Sequence, residues 1–323
     1  MLIIPYLFAI LKCVIYGSSI LFTGALTESL DVLDILALRF LMSFVVLWLL
    51  KVTHIIKINV GVKDIVGKTD RSKFIKHLLL AALFEPILYM FFETLGISMV
   101  SGVTAGVVLS LQPVSSVICE SIFLKERSGF LKEVFLVIGI IGVAYISICT
   151  GATEGGDSVL GIVILLGAVI ASSLFQTFSR KSSLHFRSFE ITYFACMLGT
   201  VVFNVINVIR HLVNGNITSY FSPYFNIQNM VGFVFLAVVS TIIAACMNNY
   251  ALARMQISTM SAFGGISTIT TVLLGVIFNS EPLYYFHYIG MSLIIIRMIG
   301  VSAIAIKKDS GRLKIEKTKI SVS

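Results

Sequence analysis

Long apolar runs recur along almost the whole of this chain. Many are roughly 20 residues long, enough for a helix rising about 1.5 Å per residue to cross a hydrocarbon core of about 30 Å. Only 12% of the 323 residues are charged, against about 25% in soluble globular domains. Inside a bilayer each backbone polar group must be satisfied within the protein, as it is in a helix. The sequence therefore predicts an all-α polytopic membrane protein.

Ten such spans can be drawn. Lys and Arg concentrate in the connections after spans 2, 4, 6 and 8 and in the C-terminal tail, whereas the alternate connections are mainly acidic. Because basic loops stay in the cytoplasm, we predict cytoplasmic termini and a location in the plasma membrane, or the inner membrane of a bacterium. Spans 1 to 10 are predicted at residues 3–24, 32–52, 75–97, 102–123, 131–150, 159–179, 190–212, 231–253, 257–279 and 284–306.

A weak internal repeat divides the chain. The sequence "YGSSILFTGALTESLDVLDILALRF" at 16–40 resembles "IASSLFQTFSRKSSLHFRSFEITYF" at 170–194, and a second match joins 94–106 to 251–264. Each half holds five spans, an odd number, so the second half must cross the membrane in the opposite direction. Inverted repeats of this kind are found in many secondary transporters. The predicted boundaries are 1–152 and 153–306 for the two five-helix repeats and 307–323 for a basic cytoplasmic tail.

The order of several short motifs resembles a known family. "YGSS", "ALRF", "TLGISMVSG" and "LQPVSSVICESIFLKE" are similar to one EamA-type unit, and "NYALARMQISTMSA" and "LGVIFNSEPL" echo it in the second half. The chain thus resembles the drug/metabolite transporter superfamily over residues 10–305, with two departures. Tyr16 stands where the family usually has tryptophan, and Pro113 has no partner in the second half, where Thr268 or Thr270 stands. The resemblance implies ten spans, a central cavity between the halves, and alternating-access transport of small metabolites, often export.

Ionisable residues lie deep within several spans. A lone charge at mid-bilayer costs about 2.5–3.5 kcal/mol on insertion scales, so such residues should face the bundle interior, usually with partners. Lys12 and Glu85 are the deepest and lie at similar depth on spans 1 and 3. They could form a static ion pair, or Glu85 could bind and release a proton. The deep ionisable residues are Lys12, Arg39, Glu85, Glu93, Glu120 and Arg297.

The other deep charges are predicted to have different roles. Arg39 either ties helices together or meets an anionic group of the substrate. Glu120 lies near the cytoplasmic end of span 4, where it is expected to meet loop charges such as Lys125. Arg297, slightly inward of the middle of span 10, is expected to snorkel towards the interface or to pair.

The third span of each half carries polar groups at matching places. Glu93 lies about 12 Å above Glu85 along span 3, and the repeat places it opposite Tyr250, next to Asn248 and Asn249. Adjacent asparagines in a bilayer are unfavourable unless they are hydrogen-bonded. These residues either line a cavity or hydrogen-bond between helices.

Helix-breaking residues mark spans 3, 4 and 9. Pro86 has no N–H to donate and is predicted to kink span 3 beside Glu85. Gln112 and Pro113 lie in span 4, and Gly264 and Gly265 lie in its counterpart, span 9. Interruptions at corresponding places in two halves point to a transporter's binding site. Close helix packing, which uses the same small residues, is the alternative.

The sequence predicts transport rather than catalysis. It has no nucleotide-binding loop, no metal-binding spacing and no nucleophile motif, so no enzyme activity, cofactor or metal is expected. We predict a secondary active exporter of a small polar or amphipathic metabolite such as an amino acid, with protons as the candidate coupling ion. The alternatives are a drug or nucleotide-sugar carrier, a membrane scaffold and an intramembrane enzyme. The expected partners are the substrate and membrane lipid, with no nucleic acid, for a monomer or homodimer.

Overall fold

In the computed structural model, the described residues form helices joined by turns and short connections. Those residues are 3–56, 72–100, 105, 108–109, 111–125, 129–151, 158–183, 185–279, 284–286, 288–301 and 303–304. Within these ranges no residue lies in a β-strand, and each of the ten predicted spans contains helical residues. The predicted fold class, an all-α polytopic membrane protein, is confirmed. The tail at 307–323 lies outside the described residues.

Within the described part of the chain, six helices are long and apolar enough to cross a membrane, and shorter apolar helices lie in spans 5, 9 and 10. Two short 3₁₀ turns, Ile217–Ser219 and Ser222–Phe225, connect spans 7 and 8. The spans have the following helical bounds: Ile3–Thr27, Val32–Val52, Ser72–Ala82 continuing through Leu83–Tyr89 to Met90–Ile97, Gln112–Cys119 continuing to Glu120–Leu124, Phe130–Gly151, Val159–Ser182, Ser188–Val213, Ile227–Val234 continuing through Phe235–Ala244 to Ala245–Leu252, Ile257–Ala262 with Gly265–Asn279, and Tyr288–Val301.

The two halves pack in matching ways. Spans 1 and 6 begin 156 residues apart, at Ile3 and Val159, and so do spans 2 and 7, at Val32 and Ser188. Span 1 packs against spans 8 and 9, and its counterpart span 6 packs against spans 3 and 4. Spans 2 and 7, which are counterparts of each other, also pack together. Exchanging the halves therefore preserves these contacts, as expected for inverted repeats around an approximate two-fold axis.

The third span of each half contains a π-helical segment, Leu83–Tyr89 in span 3 and Phe235–Ala244 in span 8. Pro86 lies inside the first of these segments, and the helix continues past it. A π turn accommodates an extra residue per turn, and membrane helices commonly tolerate a proline through such local adjustments. The predicted interruption at Pro86 is thus a widened stretch of one continuous helix.

Pro113 lies in the first turn of the described helix Gln112–Cys119, where the missing N–H donor has no helical partner to lose. Span 9 is interrupted at Phe263 and Gly264, and its second helix begins at Gly265. The helix break predicted in span 9 is therefore present.

Candidate functional site

A small cavity lies between spans 1, 2, 3, 7 and 8. It offers about 20 Å³, which is enough for a water molecule or two and too little for a metabolite. Both halves line it at matching positions, with Phe40 and Cys196 placed 156 residues apart. Its polar lining comes from Tyr16, Glu85, Thr192, Ser240 and Thr241. The cavity therefore sits close to the axis that relates the two halves.

Glu85 reaches this cavity from the π segment of span 3. Among the described residues, its carboxylate makes no hydrogen bond and no ion pair. The possible ion pair with Lys12 is not formed in this conformation, and the Lys12 Nζ donates instead to Asn248 Oδ1 at 3.0 Å. Glu85 is thus a cavity-lining acid without a direct partner in the described part of the chain.

Arg39 connects spans 2 and 8. Its buried guanidinium donates from Nε to Thr241 Oγ1 at 2.8 Å and from Nη2 to Ser240 Oγ at 3.2 Å. Both hydroxyls belong to the π segment of span 8. Glu85 and Glu93 interact with Arg39 electrostatically. Of its two predicted roles, the tie between helices is the one seen in this conformation.

Glu93 is hydrogen-bonded within its own helix. The hydroxyl of Tyr89, one turn earlier, donates to Glu93 Oε1 at 2.5 Å. Glu93 is not among the residues lining the cavity. Spans 2 and 7 begin 156 residues apart. The same offset pairs Glu93 of span 3 with Asn249 of span 8, one position before the predicted match at Tyr250.

The polar residues of span 8 hold neighbouring helices. Asn249 accepts from Ser179 Oγ at 2.8 Å and donates to Thr192 Oγ1 at 3.1 Å, which joins spans 6, 7 and 8. Asn248 accepts the hydrogen bond from Lys12, which connects span 1 to span 8 as well. Tyr250 packs edge-on against Phe8 and lies beneath Arg254, whose Cζ is 3.6 Å from the ring centroid. None of the three lines the cavity in this conformation.

The interruptions in spans 4 and 9 are packed against neighbouring helices. The Gln112 amide donates to Ser172 Oγ on span 6. At the interruption of span 9, Arg297 of span 10 donates from Nε and Nη2 to the carbonyl of Ala262 at 3.1 and 2.9 Å. A Cβ on Gly265 would lie 2.3 Å from a methyl carbon of Ile294, so glycine permits this close approach. Arg297 therefore hydrogen-bonds to a carbonyl at the end of the interrupted helix. Its side chain stays in the protein interior and does not snorkel towards the membrane interface.

Glu120 joins three elements. Its Oε1 accepts from Arg180 Nη1 at 3.1 Å and from the backbone N–H of Ile257 at 2.9 Å. The expected structural role is present, with Arg180 of span 6 and the first residue of span 9 as partners instead of the suggested Lys125. The bond to Ile257 also satisfies a donor at the start of a helix.

A second polar cluster was missed at sequence level. At the predicted outer ends of spans 2 and 7, Asp34 accepts from Arg210 at 2.6 Å, from Asn207 at 2.9 Å and from His211 at 2.8 Å. Arg210 also pairs with Asp31 at 2.9 Å. The sequence did contain one indication of this cluster, because Arg210 is a basic residue in a set of connections that is otherwise acidic.

Two tyrosines of the connection between spans 7 and 8 extend this cluster. The Tyr220 hydroxyl donates to Asn204 Oδ1, and the Tyr224 hydroxyl donates to the carbonyl of Leu38, both at 2.6 Å. Burial raises the pKa of both phenols. They therefore remain neutral hydrogen-bond donors across the physiological pH range.

Comparison with known proteins identifies the family. The model of the EamA-like transporter family matches the chain twice, at residues 3–148 and 159–303, which are the two halves seen in the packing. This chain belongs to the EamA-like transporter family. The predicted resemblance is thereby confirmed, and the integral membrane location agrees with the apolar helices.

Relatives of this EamA-like transporter include YcxC, an uncharacterized transporter of Bacillus subtilis (strain 168). It is 30% identical over 307 residues, covering 95% of each chain. An uncharacterized transporter of Archaeoglobus fulgidus is 27% identical over 235 residues, covering 72% of this chain and 79% of its own. A crystal structure of a protein with 16% identity aligns with 94% of this chain and 98% of its own at a TM-score of 0.71. That likeness supports the fold.

Proposed function

We propose that this EamA-like transporter moves a small polar or amphipathic metabolite, such as an amino acid, by alternating access. In this proposal it exports its substrate across the plasma membrane, or a bacterial inner membrane, in exchange for protons, with both termini in the cytoplasm. The two moving bodies are the repeats at 1–152 and 153–306. The observation that carries the proposal is Glu85, which lines a cavity between the halves and has no bonded partner among the described residues.

The size of the cavity favours alternating access over an open pore. About 20 Å³ cannot hold a metabolite, so substrate entry requires the walls to separate. Inverted repeats offer a route to this change, because each half can adopt the conformation that the other has, opening the site first to one side and then to the other. The approximate symmetry of the helix packing is compatible with such an exchange.

Glu85 is suited to proton coupling because a proton can neutralise its carboxylate, which no side chain in the described part of the protein does by direct contact. An intramembrane acid of this kind is characteristic of proton relays in transporters. A substrate ammonium group could replace the proton, since both neutralise the carboxylate. Lys12 and Arg39 lie near enough to interact electrostatically with Glu85, and they could bind the carboxylate of the substrate. This mixture of charges favours a zwitterion.

The test is flux in proteoliposomes with and without an imposed pH gradient. The panel holds labelled acidic, basic and neutral amino acids, and a nucleotide sugar and a cationic dye to represent the alternative carriers. We expect the gradient to drive accumulation of an amino acid. Glu85→Gln should abolish this accumulation, and the matched variant Glu93→Gln should retain it.

Two results would contradict the proposal. Unchanged gradient-driven accumulation by Glu85→Gln would remove Glu85 from the coupling mechanism. Transport of the nucleotide sugar or the dye, with no amino acid flux, would replace the proposed substrate class by the alternative.

A further inference from the structure

The π segments of spans 3 and 8 are anchored differently. Side chains of span 2 make three hydrogen bonds to the segment Phe235–Ala244 of span 8. Arg39 donates to the hydroxyls of Thr241 and Ser240, and the hydroxyl of Ser43 is shared between the carbonyl of Ala237 at 3.0 Å and that of Arg39 in its own helix at 2.8 Å. Such a bond to a backbone carbonyl satisfies an acceptor in a stretch where the regular helical pattern is altered.

The matching anchor is missing from the other repeat. Span 7 packs against the segment Leu83–Tyr89 of span 3, as span 2 packs against that of span 8. At the offset of 156 residues between spans 2 and 7, the counterparts of Arg39 and Ser43 are Ala195 and Gly199. Neither has a side chain that can form a hydrogen bond. Ala195 packs instead in an apolar cluster with Ala82 of span 3.

The segment without this anchor carries the cavity acid. Glu85 projects from it into the cavity, opposite the hydroxyls of Ser240 and Thr241. π-Helical segments are rare and occur frequently at functional sites. A π turn that has no side-chain hydrogen bond from the described residues of the neighbouring helix can rearrange at lower free energy than one held by several such buried bonds.

The geometry points to an asymmetric pair of cavity walls. The segment Leu83–Tyr89 is the moving wall, and Arg39 and Ser43 are positioning residues that keep Phe235–Ala244 as the fixed wall. Substrate or proton binding at Glu85 would thus act on the segment that can rearrange. This consequence for transport rests on the proposed function, but the difference in local stability does not.

The test is hydrogen–deuterium exchange of the full chain in lipid nanodiscs, followed by mass spectrometry without substrate. After correction for intrinsic rates, we expect the amides of Leu83–Met90 to exchange about tenfold or more faster than those of Phe235–Ala245, because each hydrogen bond contributes a several-fold factor in local opening. Equal exchange in the two segments, or faster exchange in span 8, would overturn the inference.

Ser43→Ala tests the anchor directly. Loss of one hydrogen bond of about 1 kcal/mol corresponds to roughly fivefold faster exchange, and we expect that change in span 8 alone. The matched control is Ser18→Ala, because the Ser18 hydroxyl bonds only to Val14 of its own helix; neither segment should change. Acceleration of both segments by Ser43→Ala, or of neither, would contradict the positioning role.

Exchange and flux report on separate hypotheses. If the segments exchange as expected while no panel metabolite is transported, the proposed function fails and the asymmetry stands. If transport occurs with equal exchange in the two segments, the asymmetry fails and the proposed function stands.

Discussion

Two acids in the same bundle have opposite surroundings. Asp34 accepts hydrogen bonds from Arg210, Asn207 and His211 at the ends of spans 2 and 7. Glu85 lines the cavity, and no partner bonds to its carboxylate among the described residues. A buried charge that is fully paired holds elements together, whereas an intramembrane acid without a partner is a candidate for binding a proton or a ligand. The number of donors around each carboxylate therefore separates the structural acid from the functional one.

The helices that carry the two acids explain this difference. Asp34 lies in the first turn of span 2, opposite the last turn of span 7, where the connection from Asn214 to Asn226 folds over the helix ends. Polar side chains and free backbone groups are abundant at such ends. Glu85 lies in mid-span, where its neighbours are mostly apolar and where any ligand must supply the missing interactions.

The largest expected effect on stability belongs to Asp34. Asp34→Ala removes the acceptor of three hydrogen bonds, from Arg210, Asn207 and His211, so we expect a loss of about 3 kcal/mol or more. Thermal unfolding in detergent, followed by circular dichroism, measures the loss. Glu85→Ala is the matched control and should lose less than about 1 kcal/mol, since no hydrogen bond is broken. Equal destabilisation by the two variants would remove the distinction between the acids.

Glu85→Gln should have the largest effect on transport. Glutamine keeps the size of the side chain and cannot bind or release the proton, so we expect gradient-driven accumulation to fall about tenfold or more. Exchange of labelled for unlabelled substrate should be less affected, because it requires no net proton movement. If Asp34→Asn, tested in the same proteoliposomes, abolished only the coupled component, the coupling role would pass to Asp34.

The sequence predicted how deep a residue lies in the membrane, but it did not predict which neighbouring helix its side chain faces. Hydrophobic length and loop charge predicted the spans, because a bilayer imposes both. They also placed Lys12 and Glu85 at one depth. The partner of Lys12 is Asn248, 236 residues away, and which helix faces which is a property of tertiary packing. The π segment at Leu83–Tyr89 changes the direction of side chains beyond it, and no local pattern in the sequence predicts this.

The helix interruptions in spans 4 and 9 show the same limit of prediction from sequence. Glycine and proline predicted where spans 4 and 9 are irregular, because their backbone restrictions are local. The use of Arg297 to satisfy the carbonyl of Ala262 was not predicted, since the two residues belong to different helices. The cavity residues Ser240 and Thr241 were also missed, because small hydroxyl side chains are common in membrane helices and carry no distinctive pattern.

Asn207→Ala separates the contribution of one donor to Asp34 from that of the charge pair. Asn207 is fully buried and donates to Asp34 Oδ1 at 2.9 Å. Because Arg210 and His211 remain, we expect a loss of about 1.5–3 kcal/mol, the range for a hydrogen bond to a charged group. Thermal unfolding of this variant and of the Asp34→Ala/Asn207→Ala double variant gives the coupling energy. Strictly additive losses would show that Asn207 acts independently of Asp34.

Asp31→Asn should have the smallest effect and tests whether exposure sets the strength of an ion pair here. Asp31 and Asp34 both bond to Arg210, at 2.9 and 2.6 Å, but the Asp31 side chain is 71% exposed and that of Asp34 only 13%. Water and salt screen the exposed pair, so its loss should cost no more than about 1 kcal/mol. The effect should also shrink between low and high salt, because the screening length falls. Thermal unfolding at two ionic strengths measures both quantities. A loss as large as that of Asp34→Ala, unchanged by salt, would mean that both acids are structural to the same degree and that burial does not decide between them.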